Sequence, residues 1–185
     1  MDWGKRRTPA LGSRRRGSAV ACATVYAKAL HEHKLFAMTS DPSASARRKD
    51  FKVIRPIPTR WMDNDHYGHV NNVIYYSFFD TAVNGFLIDA CGTDIRELSA
   101  IGVVAESSCR FLTAVSFPDT IHAGLGIERL GTKSVVYRIA LFRGDENEPC
   151  AIGRFAHVYV DRDSRRPVEI PDMIKKALAP LTTCP

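Results

Sequence analysis

The alternation of apolar and polar residues in the second half of the chain predicts four β-strands. Over residues 102–113, Val103 and Cys109 share one face while Glu106 and Arg110 point to the other, the period of two that is typical of a strand. Three further segments continue this alternation and are joined by short turns, at residues 120–130, 134–143 and 150–161. Consecutive strands with short connections indicate an antiparallel sheet.

Residues 72–90 follow the period of a helix instead. Polar side chains recur three to four positions apart and form one stripe, and nearly all other positions are apolar. The stripe consists of Ser77, Asp80, Thr81 and Asn84. Gly92 provides a natural end, because glycine readily adopts the left-handed backbone that closes helices. A rod of roughly 28 Å with so much apolar surface predicts burial against a wide sheet.

The remaining elements complete a predicted α+β domain. Residues 51–62 have strand character, but Pro56 and Pro58 restrict them to an edge or a bulge. A short helix is predicted to begin near Pro171, with proline in its first turn. The predicted fold is a curved antiparallel sheet wrapped around one long central helix.

The positive charge of the chain is concentrated in its N-terminal part. The 185 residues contain 26 Lys/Arg and 20 Asp/Glu, for a formal net charge of +6, but residues 1–37 hold eight of the bases and two of the acids. The remainder carries 18 of each, so we expect no nucleic-acid partner. We expect residues 1–50 to be a basic, disordered extension and linker, and residues 51–185 to be the folded domain. An Arg-rich, acid-poor start is also the composition of an organelle-targeting segment, and both interpretations stay open.

The apolar runs and the cysteines exclude other classes of protein. No run approaches the roughly 20 residues of a membrane span, so we expect no membrane partner. The five cysteines are scattered, without a C-x-x-C motif or the Cys/His spacing of a zinc site, so we expect no metal. An odd number of cysteines fits a reducing compartment. We therefore expect a cytoplasmic protein, or an organellar one if residues 1–37 direct transport.

The candidate chemistry lies where the first strand leads into the helix. Asp63 and Asp65 precede Asn71 and Asn72 by six to nine residues, and the two asparagines already provide caps for the helix start. At least one carboxylate is therefore left for another role. A carboxylate can attack an acyl carbon or activate a water, and free N–H groups at a helix start can stabilise the developing oxyanion. This combination favours ester or thioester hydrolysis.

The sequence of residues 60–75, RWMDNDHYGHVNNVIY, resembles the active-site signature of hotdog-fold acyl-CoA thioesterases. The matching pattern is D-x-D-x-x-G-H-V-N-N-x-x-Y, which is similar to that of the 4-hydroxybenzoyl-CoA thioesterase-like group. The order of elements over about residues 51–180 also matches the hotdog fold. The resemblance implies hydrolysis of an acyl-CoA to a free acid and CoA, with no cofactor, because coenzyme A is part of the substrate.

The resemblance also assigns roles to individual residues. Asp65 matches the catalytic carboxylate, as nucleophile or general base, and His69 would orient the water or the carbonyl. Amides near Asn71 and Asn72 would polarise the carbonyl, which makes Asn72 the third predicted catalytic residue. The predicted substrate contacts are Gly68, Asn71, Tyr75 and Glu106. Three alternatives stay open: Asp63 is expected to be structural, Tyr75 could instead belong to the core or to an interface, and Glu106 could instead pair with an arginine on a neighbouring strand.

The resemblance also implies an oligomeric state, and two other functions are alternatives to thioester hydrolysis. Members of the group are homodimers or homotetramers with substrate bound between subunits, so the same is expected here. A non-catalytic acyl-CoA-binding protein of the same fold is one rival. An enoyl-CoA hydratase is a weaker rival, because the spacing from Asp65 to His69 is four rather than five and no Asn-Pro follows. The acyl group cannot be inferred, and neither can the choice between CoA and an acyl-carrier protein.

Overall fold

The computed structural model describes residues 46–182, which form a five-stranded antiparallel sheet packed against one long helix. The sheet order is β1-β3-β4-β5-β2, so β1 and β2 are its edges. The strands are β1 Val53–Pro58, β2 Ala100–Phe111, β3 Thr120–Leu130, β4 Ser134–Arg143 and β5 Pro149–Asp161, and the helices are α1 Asn72–Cys91 and α2 Asp172–Leu178. The predicted α+β fold is confirmed, and so is the edge position of the proline-containing strand.

Helix α1 begins and ends as the sequence predicts. The Asn71 side chain accepts a hydrogen bond from the Val73 amide at 3.1 Å, and Gly92 closes the helix with φ of 64°. The buried face carries six side chains, Tyr75, Phe78, Phe79, Ala82, Val83 and Leu87. Of the predicted polar stripe, Ser77, Asp80 and Thr81 are exposed and Asn84 is half-buried. The helix therefore lies with its apolar face against the sheet and this stripe away from it.

A glycine in the sheet lets α1 approach closely. Phe79 is completely buried, and its ring lies over Gly153 of β5. A Cβ atom on Gly153 would lie 2.3 Å from Cζ of Phe79 and 3.0 Å from the carbonyl oxygen of Ser108. Only a residue without a side chain fits there, so this position fixes the distance between helix and sheet.

The opposite face of the sheet carries a second, smaller cluster. Phe51 packs edge-on against Phe142 at 5.9 Å, and Ala46 is buried in the same cluster. The amide of Arg48 donates to the carbonyl of Asn147 at 3.1 Å. Residues 46–50 thus pack on the domain, whereas the sequence assigned them to the linker, because the predicted boundary rested on composition and could not include this contact. The rest of the predicted extension lies outside the described residues.

Edge strand β2 departs from the predicted alternation. Its pairing with β5 shifts between Val104 and Glu106, which marks a β-bulge. Ala105 and Ser107 fall at the same alternating positions as Val103 and Cys109, a face that the pattern predicts to point inward, but both are exposed. The bulge takes Ala105 out of the period of two, and sequence alternation alone could not locate it. Ser107 pairs with Phe155 and keeps the face of Cys109, but it lies on an edge strand. Along residues 104–108 the strand presents an open edge.

His157 on β5 is the most deeply buried imidazole in the described part of the chain. The residue is 3% exposed, its ring lies 4.7 Å from that of Phe155, and its Nε2 has no hydrogen-bond partner within residues 46–182. Burial lowers the pKa of His157 from 6.5 to about 4. The folded protein therefore holds this imidazole neutral at pH 7.

This shift predicts a pH dependence of stability. Between pH 6.5 and about 4 the unfolded chain binds a proton at His157 that the folded chain does not. The free energy of unfolding should therefore fall as the pH drops through this window, by up to about 3 kcal/mol. Urea denaturation of His157→Gln should show a smaller loss between pH 7 and pH 4.5 than wild type, and the exposed His66→Gln control should behave like wild type. An equal loss in all three proteins would contradict this origin.

Candidate active site

The residues that precede α1 form a closed loop. The amide of Asp65 donates to the carbonyl of His69 at 2.8 Å, and the amide of Asn71 donates to the carbonyl of Asp63 at 2.8 Å. An isolated antiparallel bridge joins Asn64 to Val70 between these two bonds. The loop brings both acidic positions next to the helix start, although they precede it by several residues.

Asp63 has the structural role that was predicted for it. Its carboxylate is 1% exposed and accepts bonds from the backbone amide of Arg60 at 2.7 Å and from the Arg60 guanidinium at 2.8 and 3.0 Å. The charge of Asp63 is thereby compensated, and the short 3₁₀ turn Trp61–Asp63 is fixed. The role of Arg60 could not be identified from the sequence, since neither charge nor spacing distinguishes it from other arginines.

Asp65 keeps part of its carboxylate available. One oxygen accepts a hydrogen bond from the Tyr67 amide at 2.8 Å, and the other has no donor within residues 46–182. The side chain is half-buried rather than enclosed. One bond orients the carboxylate, and the second oxygen is left to accept a proton or attack a carbon.

The helix start offers one amide in its first turn. Asn71 already accepts hydrogen bonds from the next two amides. Its side chain accepts from the Val73 amide at 3.1 Å, and its carbonyl accepts from the Ile74 amide at 2.9 Å. In the described part of the chain the Asn72 amide has no hydrogen-bond partner. Of the amides near Asn71 and Asn72 that were predicted to polarise the carbonyl, the N–H of Asn72 therefore remains available among the described residues. It lies at the positive end of the helix dipole.

Gly68 and His69 complete the turn. Gly68 has φ of 85°, and a Cβ atom there would meet nothing within 4 Å, so the backbone conformation rather than space requires glycine. The Gly68 amide donates to the carbonyl of Asp65 at 3.0 Å. His69 is half-buried, and no hydrogen bond to its ring is present among residues 46–182. His66 is exposed, as predicted.

A second loop holds the turn in place. The Val70 amide donates to the carbonyl of Val115, the Ser116 hydroxyl donates to the carbonyl of Gly68 at 2.9 Å, and the Phe117 amide donates to the side chain of Asn64 at 3.0 Å. These contacts fix the turn from outside its own sequence. Sequence reasoning missed Asn64 and Ser116 because nothing in the spacing indicates that the two loops meet.

Large apolar side chains around the turn are exposed. Trp61 is 81% exposed and Tyr67 86%, and Met62 and Val73 are also mostly accessible. The Trp61 ring stands edge-on to Phe117 at 5.8 Å. A concentration of exposed apolar groups of this kind marks a surface that binds a ligand or another protein.

Similarity to known proteins defines the family. The family model described as the thioesterase-like superfamily matches residues 59–178, which is more than half of the chain. The chain belongs to the thioesterase-like superfamily. The matched region contains the whole turn and both helices, so the architecture is a hotdog fold, as the sequence pattern indicated.

Solved structures resemble the chain to different degrees. The PA5185 protein of Pseudomonas aeruginosa strain PAO1 is 52% identical, with a TM-score of 0.72 over 74% of this chain and 96% of that one. The PA2801 protein of Pseudomonas aeruginosa, an inferred thioesterase, is 32% identical, with a TM-score of 0.62 over 67% of this chain and 95% of that one. A DHNA-CoA thioesterase from Staphylococcus aureus is 18% identical and shares the fold, with a TM-score of 0.61 over 68% and 87% of the two chains.

Tyr75 and Glu106 make the contacts that were expected as the alternatives to substrate binding. Tyr75 is 3% exposed, and its ring packs 4.9 Å from that of Phe111, so it belongs to the core of this chain. Glu106 lies on the exposed edge of β2, where its carboxylate is 3.5 Å from the guanidinium of Arg154. This is the cross-strand pair that was the alternative for Glu106. Among residues 46–182, no hydrogen bond or ion pair joins Glu106 to the turn.

The described residues were also compared with the requirements of a metal site and of a membrane span. Residues 46–182 do not bring together three or more His, Cys, Asp or Glu side chains that could hold a metal ion. No helix in the same range is long and apolar enough to cross a membrane.

Proposed function

We propose that the protein hydrolyses acyl-CoA thioesters at the turn before α1. The observation that supports this proposal is that a group without a partner lies in the closed loop and a second one lies at the helix start that follows it. One oxygen of Asp65 lacks a donor and the Asn72 amide lacks an acceptor within the described residues. A thioester carbonyl needs both a base or nucleophile and a hydrogen-bond donor.

The reaction follows from these two groups. As a general base, Asp65 takes a proton from water while the water oxygen attacks the thioester carbon. The Asn72 amide donates to the carbonyl oxygen, which becomes negative in the tetrahedral intermediate, and such a bond contributes about 3 kcal/mol in related acyl transfers. The C–S bond then breaks, the leaving thiolate takes the proton that Asp65 holds, and the products are a carboxylic acid and the CoA thiol. As a nucleophile, Asp65 would first form a mixed anhydride that water opens.

The remaining predicted residues have supporting roles in this proposal. His69 would orient the water or the carbonyl from the same turn. Gly68 would let the substrate approach the backbone, since it carries no side chain and lies in open space. Asn71 would contribute mainly through the cap that positions Asn72.

We also propose that the protein associates with copies of itself. Edge strand β2 is exposed along residues 104–108, and Val104 is 49% exposed. An open edge with apolar residues favours pairing with another strand. We therefore expect a homodimer or homotetramer with the apolar side chains around Trp61 and Tyr67 close to the bound acyl-CoA.

A panel of acyl-CoA thioesters, assayed with a reagent that detects free thiols, tests the proposed function. The panel should include aromatic, short-chain and medium-chain acyl groups, since the turn itself does not select among them. At least one member should release thiol faster with wild type than with buffer or with heat-inactivated protein. Binding of acyl-CoA without any thiol release across the panel would favour the non-catalytic binding protein.

A further inference from the structure

A cavity of about 290 Å³ lies towards the other end of α1. It is bounded by Asn84 and Leu87 of the helix, by the start of β2 and by the end of β5. Asn84 follows Asn72 by about 18 Å along the helix axis, so the cavity is separate from the turn that carries Asp65. Its apolar walls are formed by Leu87, Ile95, Leu98, Ile101 and Ile174.

Two residues that line the cavity each carry a buried side-chain nitrogen that has no hydrogen-bond partner among residues 46–182. Arg162 uses Nε to donate to the carbonyl of Leu98 at 3.0 Å, but its Nη2 is buried and unpaired. His157 is 97% buried, and its Nε2 is also unpaired. A buried polar group without a partner costs about 1–3 kcal/mol, and more when it is charged. A ligand with acceptor oxygens would remove this cost where the side chain turns its nitrogen into the cavity.

The charges at the cavity have one sign. Arg96, Arg162 and Arg165 line it, and no aspartate or glutamate does. Asp94 lies beside the cavity and pairs with Arg96 at 2.6 Å, and the nearby charge of Arg162 further favours its ionised form. Arg96 is therefore compensated, while Arg162 and Arg165 leave an excess of positive charge at the cavity.

Gly102 keeps one wall of the cavity open. A Cβ atom there would lie 3.2 Å from Nδ1 of His157 and 3.4 Å from Cζ of Tyr159. A larger side chain would therefore project over the two rings that line this side. The space in front of His157 depends on the absence of a side chain at this one position.

We propose that this cavity binds a small carboxylic acid with an apolar body, whose carboxylate contacts Arg162 and Arg165 and whose body contacts the aliphatic walls. The volume lies at the lower end of the range for small-molecule sites, which favours a compact ligand. Largely apolar walls favour an organic acid over an inorganic anion. The site goes beyond the proposed function, since it needs neither a thioester nor Asp65.

Benzoate is a suitable probe, with benzamide as its uncharged counterpart and inorganic phosphate as a competitor. Calorimetric titration of the full chain should show saturable binding of benzoate and at least tenfold weaker binding of benzamide, and phosphate should not displace benzoate. The ¹H–¹³C resonance of the His157 ring should shift with the same affinity. Equal binding of the acid and the amide, or displacement by phosphate, would overturn the proposal.

Substitutions at the cavity test whether benzoate binds there. Arg162→Gln and Gly102→Val should each weaken benzoate binding at least tenfold, and Arg129→Gln, an exposed arginine on β3, should leave it unchanged. Thermal melting checks that each variant is folded, and Arg165→Gln replaces either variant that is not. Binding that survives all the cavity substitutions would overturn the assignment.

Asp65→Asn separates this inference from the proposed function. The variant should bind benzoate like wild type, because the cavity does not include the turn. Loss of benzoate binding in Asp65→Asn alone would place the acid at the turn and refute the second site. Normal benzoate binding in a protein that releases no thiol would contradict the proposed function only.

Discussion

Asp65→Asn is expected to fold and assemble like wild type and to hydrolyse thioesters at least about a hundredfold more slowly. The amide is nearly isosteric with the carboxylate, and its oxygen can still accept from the Tyr67 amide, which is 2.8 Å from the carboxylate. It can neither take a proton from water nor attack the acyl carbon. Loss of a general base or nucleophile lowers the turnover number by this amount or more.

The matched control is Asp145→Asn in the hairpin between β4 and β5. Asp145 is fully exposed and lies 4.0 Å from Arg48, so its change should leave turnover within about twofold of wild type. The turnover of both variants should be measured at saturating substrate, so that a change in KM does not affect the comparison. Unchanged turnover in Asp65→Asn, with the panel's best substrate, would refute the role of Asp65.

Gly153→Ala is expected to destabilise the protein by about 3 kcal/mol, at the upper end for one added methyl group. The new Cβ would lie 2.3 Å from the ring of the fully buried Phe79, so α1 must move away from the sheet or the ring must leave its rotamer. Urea denaturation should show a lower midpoint with an unchanged slope.

A double variant tests this cause. Phe79→Leu shortens the side chain that meets the new methyl group, although alone it leaves a gap and is destabilising. The variant that combines Phe79→Leu with Gly153→Ala should lose less free energy of unfolding than the two single variants lose together, by at least about 1 kcal/mol. Strictly additive losses would mean that the ring and the glycine do not limit each other.

Much of the fold could be predicted because local patterns agree with the final packing. The alternation of apolar and polar residues predicted four strands, the polar stripe predicted α1, and Gly92 predicted where α1 ends. The bulge at Val104 could not be predicted, because it appears only in the register between β2 and β5. The contact of Gly153 with Phe79 likewise depends on how α1 lies across the sheet.

The candidate site was predicted where it is local in sequence. Asp65, Gly68 and Asn71 all lie in one turn, so their spacing carried the information. Tyr75 shares the same signature, yet it is buried, since its environment is set by Phe111 on a distant strand. The cavity at His157 was not predicted either, because its walls come from four separate elements, α1, β2, β5 and α2, and no short motif joins them.

The most direct test of the central claim is the amide resonance of Asn72 in a ¹⁵N-labelled Asp65→Asn protein that holds its best acyl-CoA intact. If the thioester carbonyl accepts a bond from this amide, the Asn72 proton should move downfield on binding, well beyond any change at Asp145. An Asn72 resonance that stays in place while the acyl-CoA is bound would contradict the account.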